Sequence, residues 1–165
     1  MTLVIEDGSV VPGADSYATA NELATYAAKM GRTVPDDSEQ QEILLRRAYL
    51  EMSSLAWKGD TVSIDQTGAW PRNNVCLNGF TLAGNTIPAG VKAGQMALAT
   101  EIHADDVEAP DQKTGAVTQE RVEGAVTVQY AAASASVTRA AAKRQSYAQF
   151  AGLLEPSNQI RLVRG

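Results

Sequence analysis

Apolar residues return at helical spacing in three stretches, and the polar positions around them mark where each stretch starts and stops. Thr19 with Glu22 makes a capping-box pair, and Leu23, Tyr26, Ala27 and Met30 share one face before Gly31 breaks the pattern, which predicts a first helix. The connector Thr33-Val34-Pro35-Asp36-Asp37-Ser38 offers several N-caps, and its Asp residues suit the positive end of a helix dipole. A second helix is expected from about Glu39 to Leu55. Its apolar stripe is Leu44, Ala48, Met52 and Leu55, widened by Ile43 and Leu50, with Arg46, Arg47 and Glu51 on the outer side. Ile87-Pro88 opens a third, along which Val91, Gln95, Leu98 and Ile102 recur beside Ala93, Met96 and Ala97, with an end expected near Ala104. Ahead of these helices the chain reads as extended segments broken by Pro12-Gly13, with the domain proper starting after that turn.

Trp57-Lys58-Gly59-Asp60 stops the second helix, and the run from Gln66 to Val75 follows. Pro71 fixes its own φ and biases Trp70 toward an extended conformation, while Gly68 permits a turn just before them. Trp57, Trp70 and Pro71 are therefore candidate structural anchors. Trp70 in particular fits either a loop pinned to its own core or an anchor at an interface. Asn78-Gly79 between Val75-Cys76-Leu77 and Phe80-Thr81-Leu82 predicts a short hairpin.

From Asp105 to Gln112 the chain is a polar linker. Beyond it Val122, Gly124, Val126, Val128 and Tyr130 alternate with Glu123, Ala125, Thr127 and Gln129, the period of a strand. Residues 131–145 are rich in Ala, Ser and Thr, which leaves mobile chain and helix both open, and their role is unassigned. Tyr147, Phe150, Ala151 and Leu154 have the spacing of a short amphipathic helix before Glu155-Pro156. A lone strand and a helix this short are each unstable in water without a partner, so both are expected to be completed by another chain. Candidate interface residues are accordingly Val126, Val128 and Tyr130 on the strand, Tyr147, Phe150 and Leu154 on the helix, and the bases Arg139, Lys143 and Arg144 between them. The expected fold is mainly α: a small bundle of about three main helices with a Trp-Pro loop or short hairpin, and an extended C-terminal arm containing a strand and a short helix. Residues 1–108 form the body and residues 109–165 the arm.

Composition adds limits. A chain of 165 residues that is 44% hydrophobic supports one ordinary core. The net charge of −5 is unevenly spread: residues 1–60 hold ten acids and five bases, residues 111–165 four acids and seven bases. An acidic body with a basic arm suits attraction between copies. No apolar run is long enough for a bilayer, and no basic region precedes the short N-terminal apolar stretch, so neither membrane insertion nor secretion is expected. The single Cys76 is expected to be a buried thiol, and His103, the one histidine, an ordinary surface residue. Arg46-Arg47 as a phosphate site is the weaker reading beside a solvated pair. There is no nucleotide-binding glycine loop, no Gly-x-Ser-x-Gly elbow and no Cys–His pair with an orienting partner, so neither enzyme activity nor a cofactor or metal is expected.

Asp15-Ser16-Tyr17-Ala18-Thr19, Trp57-Lys58-Gly59, Ala69-Trp70-Pro71-Arg72, the Ile87-Pro88 helix start and the run from Glu120 to Tyr130 occur in that order. In this the chain resembles the bacteriophage head-tail connector adaptors often described as DnaT-like single-stranded DNA-binding proteins. The resemblance implies a virion protein at the head-tail junction, assembled in the host cytoplasm. It further implies a homo-oligomeric ring, commonly twelve-fold, between the portal protein and a tail-side connector or tail terminator. Its C-terminal arm would contact other subunits or the portal, and DNA would be met only as genome passing through the channel. The long Ala/Ser-rich segment 131–145 departs from that pattern. The alternative is a single-stranded DNA-binding module, against which stand the acidic body, the 5% aromatic content and the lack of aromatics interleaved with bases.

Overall fold

The computed structural model describes residues 2–107, 119–121, 127–129 and 145–156, with 119–121 and 127–129 described as backbone. The protein is mainly helical, and its strands are all short.

Helix α1, Ala20–Met30, begins at the capping box: the Thr19 hydroxyl accepts from the Glu22 amide at 3.2 Å, and the Glu22 carboxylate accepts from the Thr19 amide at 2.7 Å. Helix α2, Ser38–Ser53, is N-capped by Asp37. Helix α3, Ala89–Val107, is the central element, packed against α1, α2 and a short helix α4, Gln145–Gln149. It runs one turn beyond the expected end near Ala104 and buries Val91, Gln95, Leu98 and Ile102, the face read from the sequence.

The stripe on α2 turns the other way from expectation. Ile43 and Leu50 do not widen it and are exposed, whereas Leu45 and Tyr49 are buried. The cause lies outside the helix: Tyr17 stacks against Tyr49 with centroids 4.8 Å apart, and the Tyr49 hydroxyl meets that of Thr67 at 3.3 Å, so this flank carries the cover.

The opening segment belongs to the domain rather than preceding it. Glu6 is buried, and its carboxylate accepts from the amides of Gly8 (2.8 Å), Val10 (3.1 Å) and Val11 (2.9 Å), satisfying a turn that would otherwise bury unpaired donors. The Glu6 amide in turn donates to the Ser16 carbonyl, and Ala14, Tyr17 and Ala18 enter the core.

Between α2 and α3 lie two antiparallel ribbons, β1 (Asp60–Thr61) with β2 (Arg72–Asn73) and β3 (Cys76–Leu77) with β4 (Phe80–Thr81). Asn78 and Gly79, at φ 52° and 85°, make the turn of the second as the sequence indicates, since both central residues of a type I′ turn need positive φ. Cys76 is exposed, not buried, because a two-stranded ribbon covers only one face of its residues.

β5 (Gln119–Arg121) pairs antiparallel with β6 (Thr127–Gln129), placing Glu120 opposite Val128. The strand expected to lack a partner thus has one in its own chain; Gln119-Glu120-Arg121 carries no apolar alternation to announce it. Val126, Tyr130, Arg139, Lys143 and Arg144 lie outside the described residues.

The C-terminal helix also packs on its own body. Phe150 and Leu153 are fully buried in the core. The Glu101 carboxylate of α3 accepts from the Ser146 amide (3.1 Å) and hydroxyl (2.7 Å). Further along, the Lys58 amide donates to the Leu153 carbonyl at 2.9 Å and the Glu155 amide to the Ala56 carbonyl at 2.8 Å. Residues 145–156 are therefore part of the core unit rather than of an arm.

Candidate assembly surface

The three anchors read from the sequence converge. Trp57, Trp70 and Pro71 are buried, the two indoles meet edge-to-face at 5.7 Å and 85°, and the Trp70–Pro71 peptide bond is cis. The Trp57 indole donates to the Met52 carbonyl at 2.8 Å, and the Trp70 amide donates to the Tyr17 hydroxyl at 2.9 Å. Arg72, next along the chain, ties this loop shut by donating to the carbonyls of Lys58 (2.8 Å), Gly59 (2.6 Å) and Ala69 (3.2 Å). Desolvation holds its pKa below the usual guanidinium value. Of the two roles open to Trp70, the geometry gives it the core.

The residues expected on the arm helix divide. Phe150 faces inward onto Trp57, Leu154 is half-buried and bridges the Trp57 backbone, and Tyr147 remains exposed with its ring edge-on to Phe150 at 6.2 Å. Phe150 is thereby removed from the candidate interface set, because its ring fills the slot left by Gly94.

Charge in the body is largely consumed internally. Residues 1–107 hold seven bases against fourteen acids. Arg46 pairs with Asp15 at 2.6 Å, Lys92 with Glu22 at 3.2 Å, and Arg47 makes a two-bonded pair with Asp106. That hydrogen-bonded pairing pushes the Arg47 pKa up and the Asp106 pKa down. Lys58 is spent on the Gly152 carbonyl and Arg72 on the loop carbonyls above.

What the body does present is apolar side chains at fixed points, none of which the sequence marks as a contact surface. Ile64 is 97% exposed on a loop braced by Gln66. The Gln66 side-chain oxygen accepts from the Val62 amide (2.9 Å), and its nitrogen donates to the carbonyls of Gly68 (2.8 Å) and Pro71 (3.2 Å). Phe80, beside the β3–β4 turn, is 75% exposed. On the far flank of α2, a groove of about 260 Å³ opens between α2 and the end of α3, lined by apolar Pro35, Ile43, Leu44 and Val107 and by polar Gln40, Arg47, His103 and Asp106. The available signal was Ile64 itself, a single apolar residue in the polar run Ser63-Ile64-Asp65-Gln66.

A family described as "Putative DnaT-like ssDNA binding protein" matches residues 1–165, the whole chain. The chain belongs to this family. Among the curated proteins and among the solved structures nothing matches it. In this member of the DnaT-like family, no described helix is long and apolar enough to cross a membrane, and no three His, Cys, Asp or Glu side chains among the described residues converge as metal ligands.

Proposed function

We propose that this DnaT-like chain is a structural subunit that assembles into a ring, a connector adaptor between the portal and the next tail-side protein of a phage particle. The observation that carries this reading is the contrast on the body surface: Arg46, Arg47, Lys58, Arg72 and Lys92 are turned onto the chain's own carboxylates and carbonyls, while Ile64, Phe80 and Val107 project into solvent. A nucleic-acid surface needs a track of unpaired cations beside its aromatic faces, and it is the cations that the body spends internally. A protein contact needs apolar points on a rigid frame with a polar rim. The resemblance of the Trp-Pro loop and its neighbours to the connector adaptors supports the head-tail junction of the virion as the place, with DNA present as genome in transit.

The second reading, single-stranded DNA binding, is favoured by the family description and by the seven bases against four acids in residues 111–165. Fluorescence anisotropy of a labelled single-stranded oligonucleotide across a salt series separates the two. The adaptor reading expects no saturable binding at physiological ionic strength, whereas a DNA-binding module gives affinity that falls linearly with salt on logarithmic axes.

A further inference from the structure

Resting on the ring-assembly reading, we infer that the β5–β6 ribbon of one copy continues into the ribbon of the next, β6 pairing with the neighbour's β5, so that the copies share one antiparallel sheet. The first support is isolation. β5 and β6 pair with each other, and among the described residues neither packs against any other helix or strand. A ribbon of two such short strands is marginal on its own, and each strand keeps one row of backbone N–H and C=O groups unpaired.

The second is where the chain leaves the body and returns to it. α3 ends at Val107, and α4 lies antiparallel beside it, Ser146 on Glu101 and Phe150 at Gly94, so residues 108–144 depart from and come back to one end of the bundle. A connection between neighbouring helices needs only about 2–8 residues. Here residues 108–118 alone reach up to about 36–40 Å when extended, far enough to bring the ribbon to a neighbouring copy.

The third is the sequence of the open edges. Natural strand edges are blocked against addition by Pro, Lys or another charge, and β6, Thr127-Val128-Gln129, holds none of these. β5, Gln119-Glu120-Arg121, holds one acid and one base. With β6 uncharged, no register of β6 on the neighbour's β5 sets like charges opposite each other, whereas β5 on β5 centred at Glu120 would oppose two carboxylates. In copies related by rotation about a ring axis, β6 runs opposite to the next copy's β5. The ladder is then antiparallel throughout, and closure of the ring leaves no free edge.

The test uses the full chain. Val128→Pro and Gln129→Pro each remove one donor, and successive amides of a strand face opposite sides, so between them they reach both ladders. Both are expected to turn the oligomer into monomer in sedimentation velocity with the melting temperature unchanged, because the ribbon packs on none of the body's helices or strands. In parallel, in a Cys76→Ser background, chains carrying Glu120→Cys and chains carrying Val128→Cys are mixed and oxidised, then compared with each oxidised alone. Moving either substitution by one residue scans the register. A disulfide between the two kinds of chain, well above either control, is expected, because sulfurs join only where the Cα atoms approach within about 4.4–6.8 Å. An oligomer that persists in both Pro variants overturns the shared sheet while leaving ring assembly standing. A disulfide formed by Glu120→Cys chains alone makes the contact β5 on β5 and overturns it also, as does the absence of any mixed disulfide across the scan. A parent chain that never oligomerises overturns both inferences.

Discussion

The ring of Phe150 stands edge-on to the indole of Trp57, centroids 5.0 Å apart at 74°, and so ties a residue near the end of the chain to the loop that follows α2. Phe150→Ala should cost about 3–5 kcal/mol, the range for large-to-small changes in a packed core. A chain ending at residue 108 should lose its cooperative unfolding transition for the same reason, since Trp57 and Gly94 would face water. Urea unfolding followed by Trp fluorescence checks both. An unchanged midpoint would mean that the segment 145–156 is dispensable.

Arg72 is the second lever. Its planar guanidinium donates to the carbonyls of Lys58, Gly59 and Ala69 from separate nitrogens, a spread that a single ammonium does not match, so Arg72→Lys should behave as a loss rather than a conservative change. Stability should fall by about 1.5–3 kcal/mol, the scale of a hydrogen bond to a charged group. Equal melting curves for the two proteins would contradict this.

Burial raises the pKa values of Tyr17, Tyr26 and Tyr49, for Tyr17 with a further contribution from Tyr49 beside it. The sign follows from linkage: a folded-state pKa above the unfolded value near 10 favours the neutral form in the native protein. The corresponding stability is complete below about pH 10 and is lost as pH rises from there toward the folded-state values. Absorbance at the phenolate band should therefore show these three tyrosines ionising together with unfolding. Their ionisation in a still-folded protein would contradict the burial.

Glu101 acts as a latch. By accepting both the amide and the hydroxyl of Ser146, it fixes the start of α4 to α3, so Glu101→Ala should open α4 locally. Hydrogen exchange should speed up for amides of 146–154 and stay slow in the middle of α3. Uniform acceleration across the protein would show a global effect instead.

Much of this fold was legible locally. The Thr19–Glu22 box, the Asn78-Gly79 turn and the buried face of α3 depend on neighbours a few residues apart, and the structure has each where spacing puts it. What failed to show is non-local. Phe150 reads as half of an unstable helix until Gly94, far away in sequence, is seen to leave a slot for its ring. Ile43 and Leu50 fit the α2 stripe by spacing yet are exposed, because Tyr17 and Thr67 cover the opposite flank. Val128 looks partnerless along the sequence because Gln119-Glu120-Arg121, its paired strand, lacks the alternation that marks a strand. Ile64 carries no sequence signal because a lone apolar residue in a polar loop is ordinary; its exposure stands out only beside the Gln66 brace.

The proposed self-assembly, and the proposed lack of action on single-stranded DNA, are both addressed by one sedimentation-velocity run. The full-length protein is mixed at physiological ionic strength with a fluorescently labelled single-stranded oligonucleotide, with detection of protein and label separately. Protein should sediment as a closed oligomer while the label stays with the free oligonucleotide. Label travelling with a monomeric protein, and released as salt is raised, would contradict it.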